Sequence, residues 1–390
     1  MRWHVVHERL TDWAGSEAVA QSAASALSAG VLHTLVHDTR SVSPNRLPGV
    51  ELRTSPLQRL PGPLRTRRSL FPLWPWAIER LDVSDADAVL SSHHAVAKGV
   101  RTRADQPHVC YVHSPARWAW DLADEEQRLR NHGRVKRAVT SRLLERFRHW
   151  DAGCANRVDL YLANSTTVAQ RIERWYRRPS KVIAPPVRVV FFRHDPAVER
   201  GDHYLVAGRL VPYKRTADAI DACGRLGRTL RVVGDGPLAQ TLRRQARGAK
   251  IDFVGPVSDE RFADELRRCR ALLMPQHEDF GIVTVEAMAT GAPVIALGQG
   301  GALDTVIPDR TGVLYPNPGQ AGLAQAIRTF EADPDRFDPL VLHKHAQTFD
   351  TPVFQAALSS VAQRFARFFA EQGPSPTLDQ RVLDEFRDRA

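Results

Sequence analysis

Residues 273–306 read LMPQHEDFGIVTVEAMATGAPVIALGQGGALDTV, from Leu273 to Val306, and the patterning of this stretch decides the fold class. An apolar run of strand length, Ala271 to Met274, leads into a polar loop with Glu278, Asp279, Phe280 and Gly281. A helix-like segment follows from Ile282 to Thr290, Gly291 stops it, and Ala292 to Leu297 reads as the next buried parallel strand. Strand, loop, helix and strand in that order form one unit of an α/β domain. The chemistry gathers where the loop meets the helix. Gly281 lacks a Cβ, so a ligand can approach its backbone, and the first N–H groups of a helix starting there have no partner within it. Those donors and the helix dipole favour an anion. Glu278 precedes the helix and Glu286 lies about one turn inside it, so two carboxylates can flank one ligand and accept from its hydroxyls. Taken singly, Glu278 reads equally as a surface acid and Glu286 as a favourable first-turn charge.

The spacing of Glu278 and Glu286, with EDFGIVTVEAMATGAPVIA and GGALDTV around them, resembles the E-x7-E block of retaining glycosyltransferase family 4. The resemblance implies the GT-B architecture: two Rossmann-like domains facing each other across a cleft, with a last helix crossing back to the first domain. It also implies that Glu278 touches a donor sugar. Phe280, Gly281, Ile282 and Val283 would bring backbone N–H groups to sugar and phosphate, and Glu286 would hold ribose hydroxyls. The segment YVHSPARWAWD, from Tyr111 to Asp121, resembles a pattern of the branch that includes bacterial O-antigen mannosyltransferases. By that resemblance His113 faces the donor sugar near the reacting carbon, and His94, Arg117, Trp118 and Trp120 lie on the acceptor side.

A chain of 390 residues is too long for one ordinary core and fits two domains. Its 43% hydrophobic and 25% charged content belongs to a soluble globular protein, and no stretch matches a membrane span. The N-terminus, MRWHVVHERL, lacks a signal peptide's apolar core, which points to the cytoplasm. Cys110, Cys154, Cys223 and Cys269 are scattered without metal-ligand spacing and read as buried thiols. The formal charge of +10 fits a polyanionic partner and fits a compositional bias toward arginine equally well.

Along the chain, Trp3 to Val6 reads as the opening strand, a loop carries Gly15, and Ala18 to Ala29 is a helix. In a doubly wound fold this first turn lies where ligands bind, and Gly15 is expected beside the donor phosphates although the family's second glycine is missing. Val31 to Val36, Ala88 to Ser92, His108 to Tyr111 and Val158 to Ala163 read as further strands. Ser165 after the last of these resembles a phosphate-adjacent residue and is equally a helix N-cap. Pro44 to Pro75 is rich in proline, arginine and aromatics, and Arg128 to Trp150 is an arginine-rich helix with Val135, Val139, Leu143, Leu144 and Phe147 on one stripe. Both fit an anionic membrane surface, and both fit packing into the protein's own core. Asp85 and Asp87 have D-x-D spacing but read as turn residues, so no metal is assigned.

The first domain is expected over residues 1–187, a charged linker over 188–202, the second domain over 203–350, and the returning helix with its tail over 351–390. After the strand Tyr204 to Ala207 comes GRLVPYKR, where Arg209 and Lys214 flank a turn and can grip a diphosphate as it gains charge on leaving. This pair matches the family's diphosphate-binding arginine and lysine. Gly234 opens a G-x-G-P turn, weak as a nucleotide fingerprint, and the strand end at Val254 would face the base. Together the expectation is a metal-independent, cofactor-free hexosyltransferase. It would move mannose from GDP-mannose to a hydroxyl of a glycan or lipid-linked glycan in cell-surface polysaccharide synthesis. It would be cytoplasmic, with peripheral contact at an anionic membrane and no nucleic-acid partner. The alternatives are a UDP-sugar-dependent transferase and a non-enzymatic polyanion binder.

Overall fold

A computed structural model describes residues 1–121 and 133–373. The first turn of the helix expected from Arg128 and the tail beyond Gly373 lie outside the described residues. The chain divides into two compact units, one made of Met1–Ala184 with the chain from Phe354 onward, the other of Pro185–Val353.

The first unit holds β1 (Trp3–His7), β2 (Val31–Thr34), β3 (Glu51–Thr54), β4 (Ala88–His93), β5 (His108–Val112), β6 (Leu160–Ala163) and β7 (Lys181–Val182). They pair in parallel in the order β3-β2-β1-β4-β5-β6-β7. Every residue of β1, β4 and β5 is buried, so both faces of the sheet centre are covered, and polar residues within these strands are paired, as His4 is with His33 and Ser91 with His108. Helices must then cover both faces. The helix Gly15–Ala26 and the long C-terminal helix Thr351–Gln372 share one apolar core with β1, β2, β4 and β5. Phe354, Leu358, Val361, Phe365 and Phe369 of that last helix are buried there, each burial worth roughly 2 kcal/mol. Phe368 is partly buried and packs against the same core.

The helix Arg134–Gly153 covers the other face with only part of its stripe. Leu144 and Phe147 are buried, whereas Val135 is 79% and Val139 55% exposed. β3 lies inside the Pro44–Pro75 stretch, where no strand is expected from the sequence. It is an edge strand whose side chains are largely solvated, so it carries no apolar pattern to read.

The second unit holds β8 (Tyr204–Ala207), β9 (Leu230–Val233), β10 (Ile251–Gly255), β11 (Ala271–Met274), β12 (Val294–Leu297) and β13 (Gly312–Tyr315). Their order is β10-β9-β8-β11-β12-β13, all parallel. In both units, therefore, the first strand lies between the second and the fourth, and the connections diverge at that boundary. This is the topological switch point of a doubly wound sheet. The segment Arg188–Asp202 belongs to the second unit, with Phe192 buried at 1% exposure and its ring set edge-on to Phe262.

Candidate donor site and histidine cluster

In the second unit the switch point falls between β8 and β11. The chain leaves β8 through Gly208 and Arg209 and turns through Pro212–Lys214, and it leaves β11 into the loop carrying Gln276 and Glu278. The Lys214 ammonium donates directly to Glu278 Oε1, and Gln276 Nε2 donates to the same oxygen at 3.1 Å. Arg209 is exposed at the carboxyl end of β8. Sequence reasoning places Lys214 and Glu278 in one site but misses that they pair with each other and that Gln276 joins them.

Glycines bring this backbone together. Gly234 has φ +119°, and a Cβ there would stand 2.1 Å from the Gly208 carbonyl oxygen. The turns after β8 and β9 can approach only without that side chain. The loop Gln276–Gly281 likewise rests on the Gly300–Gly301 turn: Gly301 N donates to Glu278 O at 2.9 Å, and a Cβ on Gly301 would lie 2.3 Å from Phe280 Cα. The GG of GGALDTV is thus the bed on which the Glu278 loop lies. Gly281 caps the helix Ile282–Ala289 in the left-handed region, at φ +86°. Glu286 lies on that helix, and burial raises its carboxyl pKa to about 7. Val254 sits in β10, where the register shifts between Phe253 and Gly255.

In the first unit the switch point falls between β1 and β4, and titratable groups crowd its carboxyl edge. Glu8, directly after β1, is 1% exposed, and its Oε1 accepts from the backbone N–H groups of His94, Ala95, Val96 and Ala97 at 2.7–3.1 Å. Its Oε2 pairs with His94 Nδ1 at 2.5 Å. Burial would raise the Glu8 pKa, but His94 and His93 outweigh it and hold the carboxylate well below its ordinary range. Reciprocally, burial would lower the His94 pKa, and Glu8 more than offsets this and raises it.

His113 follows β5. Its N–H donates to His93 O at 2.8 Å, and its carbonyl accepts from Asn164 Nδ2 at 2.7 Å. Burial, with His7 and His94 close by, lowers its pKa to about 3, so the ring is neutral. Gly15 begins the helix Gly15–Ala26 in the same turn as buried Glu17.

Several expected residues have structural work in this fold. Ser165 caps the helix Thr166–Tyr176 by accepting from Val168 N at 3.1 Å. Trp118 packs against Phe147 and Phe71, with ring centroids 4.7 and 5.2 Å away. Trp120 stacks on Trp175 at 5.7 Å and donates from Nε1 to Asp151 at 2.7 Å. Arg117 is half-buried at the start of the short helix Arg117–Trp120. Asp85 pairs with Arg53 and Asp87 with Arg2, before β4. Among the described residues no group of three or more His, Cys, Asp or Glu is placed to hold a metal ion. No described helix is long and apolar enough to cross a membrane.

Comparison with known proteins gives two family matches in tandem, Glycosyltransferase Family 4 over residues 13–191 and Glycosyl transferases group 1 over residues 191–344. A glycogen synthase of Mycobacterium tuberculosis (strain CDC 1551 / Oshkosh) is 37% identical over 140 residues, 33% of this chain and 34% of the relative. A GDP-mannose-dependent alpha-(1-6)-phosphatidylinositol dimannoside mannosyltransferase of Mycobacterium tuberculosis (strain ATCC 25177 / H37Ra) is 33% identical over 149 residues, 36% of this chain and 39% of the relative. The chain thus spans little more than a third of the length of the curated relatives it matches. Among solved structures, Anabaena Alr3699/HepE in complex with UDP superposes with a TM-score of 0.67 at 18% identity, covering 93% of this chain and 100% of that one. The fold is GT-B, and with matched segments running from residue 13 to residue 344 the chain belongs to glycosyltransferase family 4.

Proposed function

We propose that this protein is a retaining, metal-independent glycosyltransferase that moves mannose from GDP-mannose to a hydroxyl of a glycan or lipid-linked glycan. The observation that carries the reading is the Lys214–Glu278 pair at the switch point of the second sheet, beside the helix start at Gly281. A sugar diphosphate offers both partners a better contact than each other. Its phosphate oxygens take Lys214, and a sugar hydroxyl donates to Glu278. In the reaction the bond from the sugar's anomeric carbon to the phosphate oxygen breaks, and the acceptor oxygen bonds to that carbon on the same face. The departing phosphate takes the acceptor's proton. Negative charge grows on the leaving diphosphate, where Lys214, Arg209 and the N–H groups at Ile282 and Val283 favour it over the ground state. Glu286 accepts from the ribose hydroxyls, Gly234 and Val254 border the base, Gly15 stands by the phosphates, and His113 orients the sugar.

The donor base is read from the name of the mannosyltransferase relative, while the bound UDP of the Anabaena structure favours a second reading, a UDP-sugar donor. Calorimetry with GDP, UDP, GDP-mannose and UDP-glucose, followed by product analysis, decides between them. Tighter binding of UDP than GDP overturns the first. Lys214→Ala and Glu278→Ala are expected to abolish transfer and leave the circular dichroism spectrum unchanged; full turnover by either removes its role. Activity that survives chelation supports the cations as the diphosphate's counter-charge. The acceptor's membrane anchorage is read from Trp76, 43% exposed, and from Val135 and Val139 on an arginine-rich helix. Phe71, just before Trp76, packs against Phe147 of that helix. Salt-sensitive sedimentation with acidic vesicles tests that contact.

A further inference from the structure

The sequence singles out His113, and behind it lies a hydrogen-bonded row that the proposed reaction does not use. Ser92 Oγ is 2.7 Å from His113 Nε2 and 3.0 Å from His7 Nδ1, and His7 Nε2 is 3.3 Å from Glu17 Oε1. His7 and Ser92 have no exposed surface and Glu17 is 5% exposed. Glu17 is fixed in turn by Ala14 N and Ser16 Oγ, both at 3.0 Å, and its pKa is lowered to about 2, burial being outweighed by His7 and these donors.

Buried donors and acceptors in such a row must alternate. An ionised carboxylate can only accept, so His7 Nε2 carries a proton. With one proton on the His7 ring, Nδ1 is a bare acceptor and takes the Ser92 hydroxyl proton. The Ser92 oxygen then accepts from His113, which must carry its proton on Nε2 and leave Nδ1 bare. We propose that Glu17, His7 and Ser92 are positioning residues that fix the tautomer of His113, so that its Nδ1 is presented to the donor sugar as a hydrogen-bond acceptor. This rests on the reading of His113 as the residue that orients the sugar. The charged groups facing His7 and His113 are Glu17 from the first helix, Glu8 after β1 and His94 after β4. The three rings His7, His94 and His113 have centroids 6.0–6.5 Å apart.

The test uses the full chain labelled with 15N-histidine and a long-range proton–nitrogen correlation at pH 8, which reports the protonated ring nitrogen of each histidine without substrate. The His113 signals are identified by their loss in His113→Gln. The Nε2-protonated pattern is expected in the native protein and in Ser92→Thr, and a mixed or Nδ1-protonated pattern in Ser92→Ala. In turnover, Ser92→Ala is expected to lower kcat about tenfold, the worth of one neutral hydrogen bond, with the donor KM little changed and Ser92→Thr restoring the rate. A native His113 protonated on Nδ1, or a pattern indifferent to Ser92→Ala, overturns the proposal. Wild-type turnover by His113→Ala overturns instead the reading on which it rests, whatever tautomer the spectrum records.

Discussion

Replacing Lys98 by methionine tests how the first unit holds its site. Lys98 and Asp151 have no exposed surface; the ammonium lies 2.5 Å from both the Asp151 carboxylate and its backbone carbonyl. Asp151 also accepts from Trp120 Nε1 at 2.7 Å and Tyr176 OH at 2.9 Å. Methionine keeps the volume and removes the charge, leaving a buried carboxylate with two neutral donors, a change that costs about 3–5 kcal/mol. Asp151→Asn added to Lys98→Met keeps an acceptor for Trp120 and Tyr176 without the charge and should recover most of the loss. Guanidinium unfolding followed by tryptophan fluorescence suits the question, because all eight tryptophans lie between Trp3 and Trp175, in the first unit. A single-variant loss under ~1 kcal/mol at pH 7, or a double variant no better than the single one, would refute the argument.

Other expectations follow from the same geometry. Glu286, with its pKa raised to about 7, is largely protonated at pH 6, and ribose hydroxyls favour its ionised form. Nucleotide binding at that pH should release close to one proton, read by calorimetry in buffers of different ionisation enthalpy, and Glu286→Gln should abolish the release. Gly301→Ala drives a methyl into the Phe280 backbone, so it should cost about 1–3 kcal/mol and weaken nucleotide binding; an unchanged melting point would contradict the close approach. Burial lowers the pKa of His113 to about 3 and those of His108 and His33 to about 4. Above about pH 6.5 these rings are neutral folded and unfolded, whereas below it only the unfolded chain takes the protons. Stability should therefore begin to fall near pH 6.5, the Glu286 carboxyl with its raised pKa offsetting part of the loss, and His108→Asn should flatten the upper part of that fall.

Strands β8 and β11 are legible because burial on both faces leaves only apolar or aromatic residues in them, and their expected bounds match the structure residue for residue. β3 was illegible for the converse reason: on an edge, its polar residues satisfy their neighbours and solvent without any periodic signature. The GG at Gly300 and Gly301 could be seen in the sequence, but its purpose could not. A glycine marks a close approach without saying to what, and the partner of Gly301, Phe280, lies twenty-one residues earlier in the chain. The histidine row shows the same limit more strongly. His7, Glu17, Ser92 and His113 come from three strand ends and a helix, and only the parallel registers of β1 with β4 and of β4 with β5 set them side by side.

The strand order then explains why the chemistry gathers where it does. In both sheets the fourth strand pairs beside the first, so residues just past their carboxyl ends meet although dozens of positions separate them. In the first unit Glu8 after β1 pairs with His94 after β4; in the second, Lys214 after β8 pairs with Glu278 after β11. The topology is repeated and the polarity reversed, with the acid following the first strand in one unit and the fourth in the other. Their surroundings differ as much as their order. Glu8 is 1% exposed and spends its Oε1 on four backbone N–H groups, so its charge is committed to holding the 94–97 loop. Lys214 and Glu278 each keep 22% of their side chains exposed, and the carboxylate has few other donors to release. Water still reaches this pair, so a charged ligand can replace either partner without leaving a buried charge unpaired. The first pair is suited to building a site and the second to exchanging partners within one.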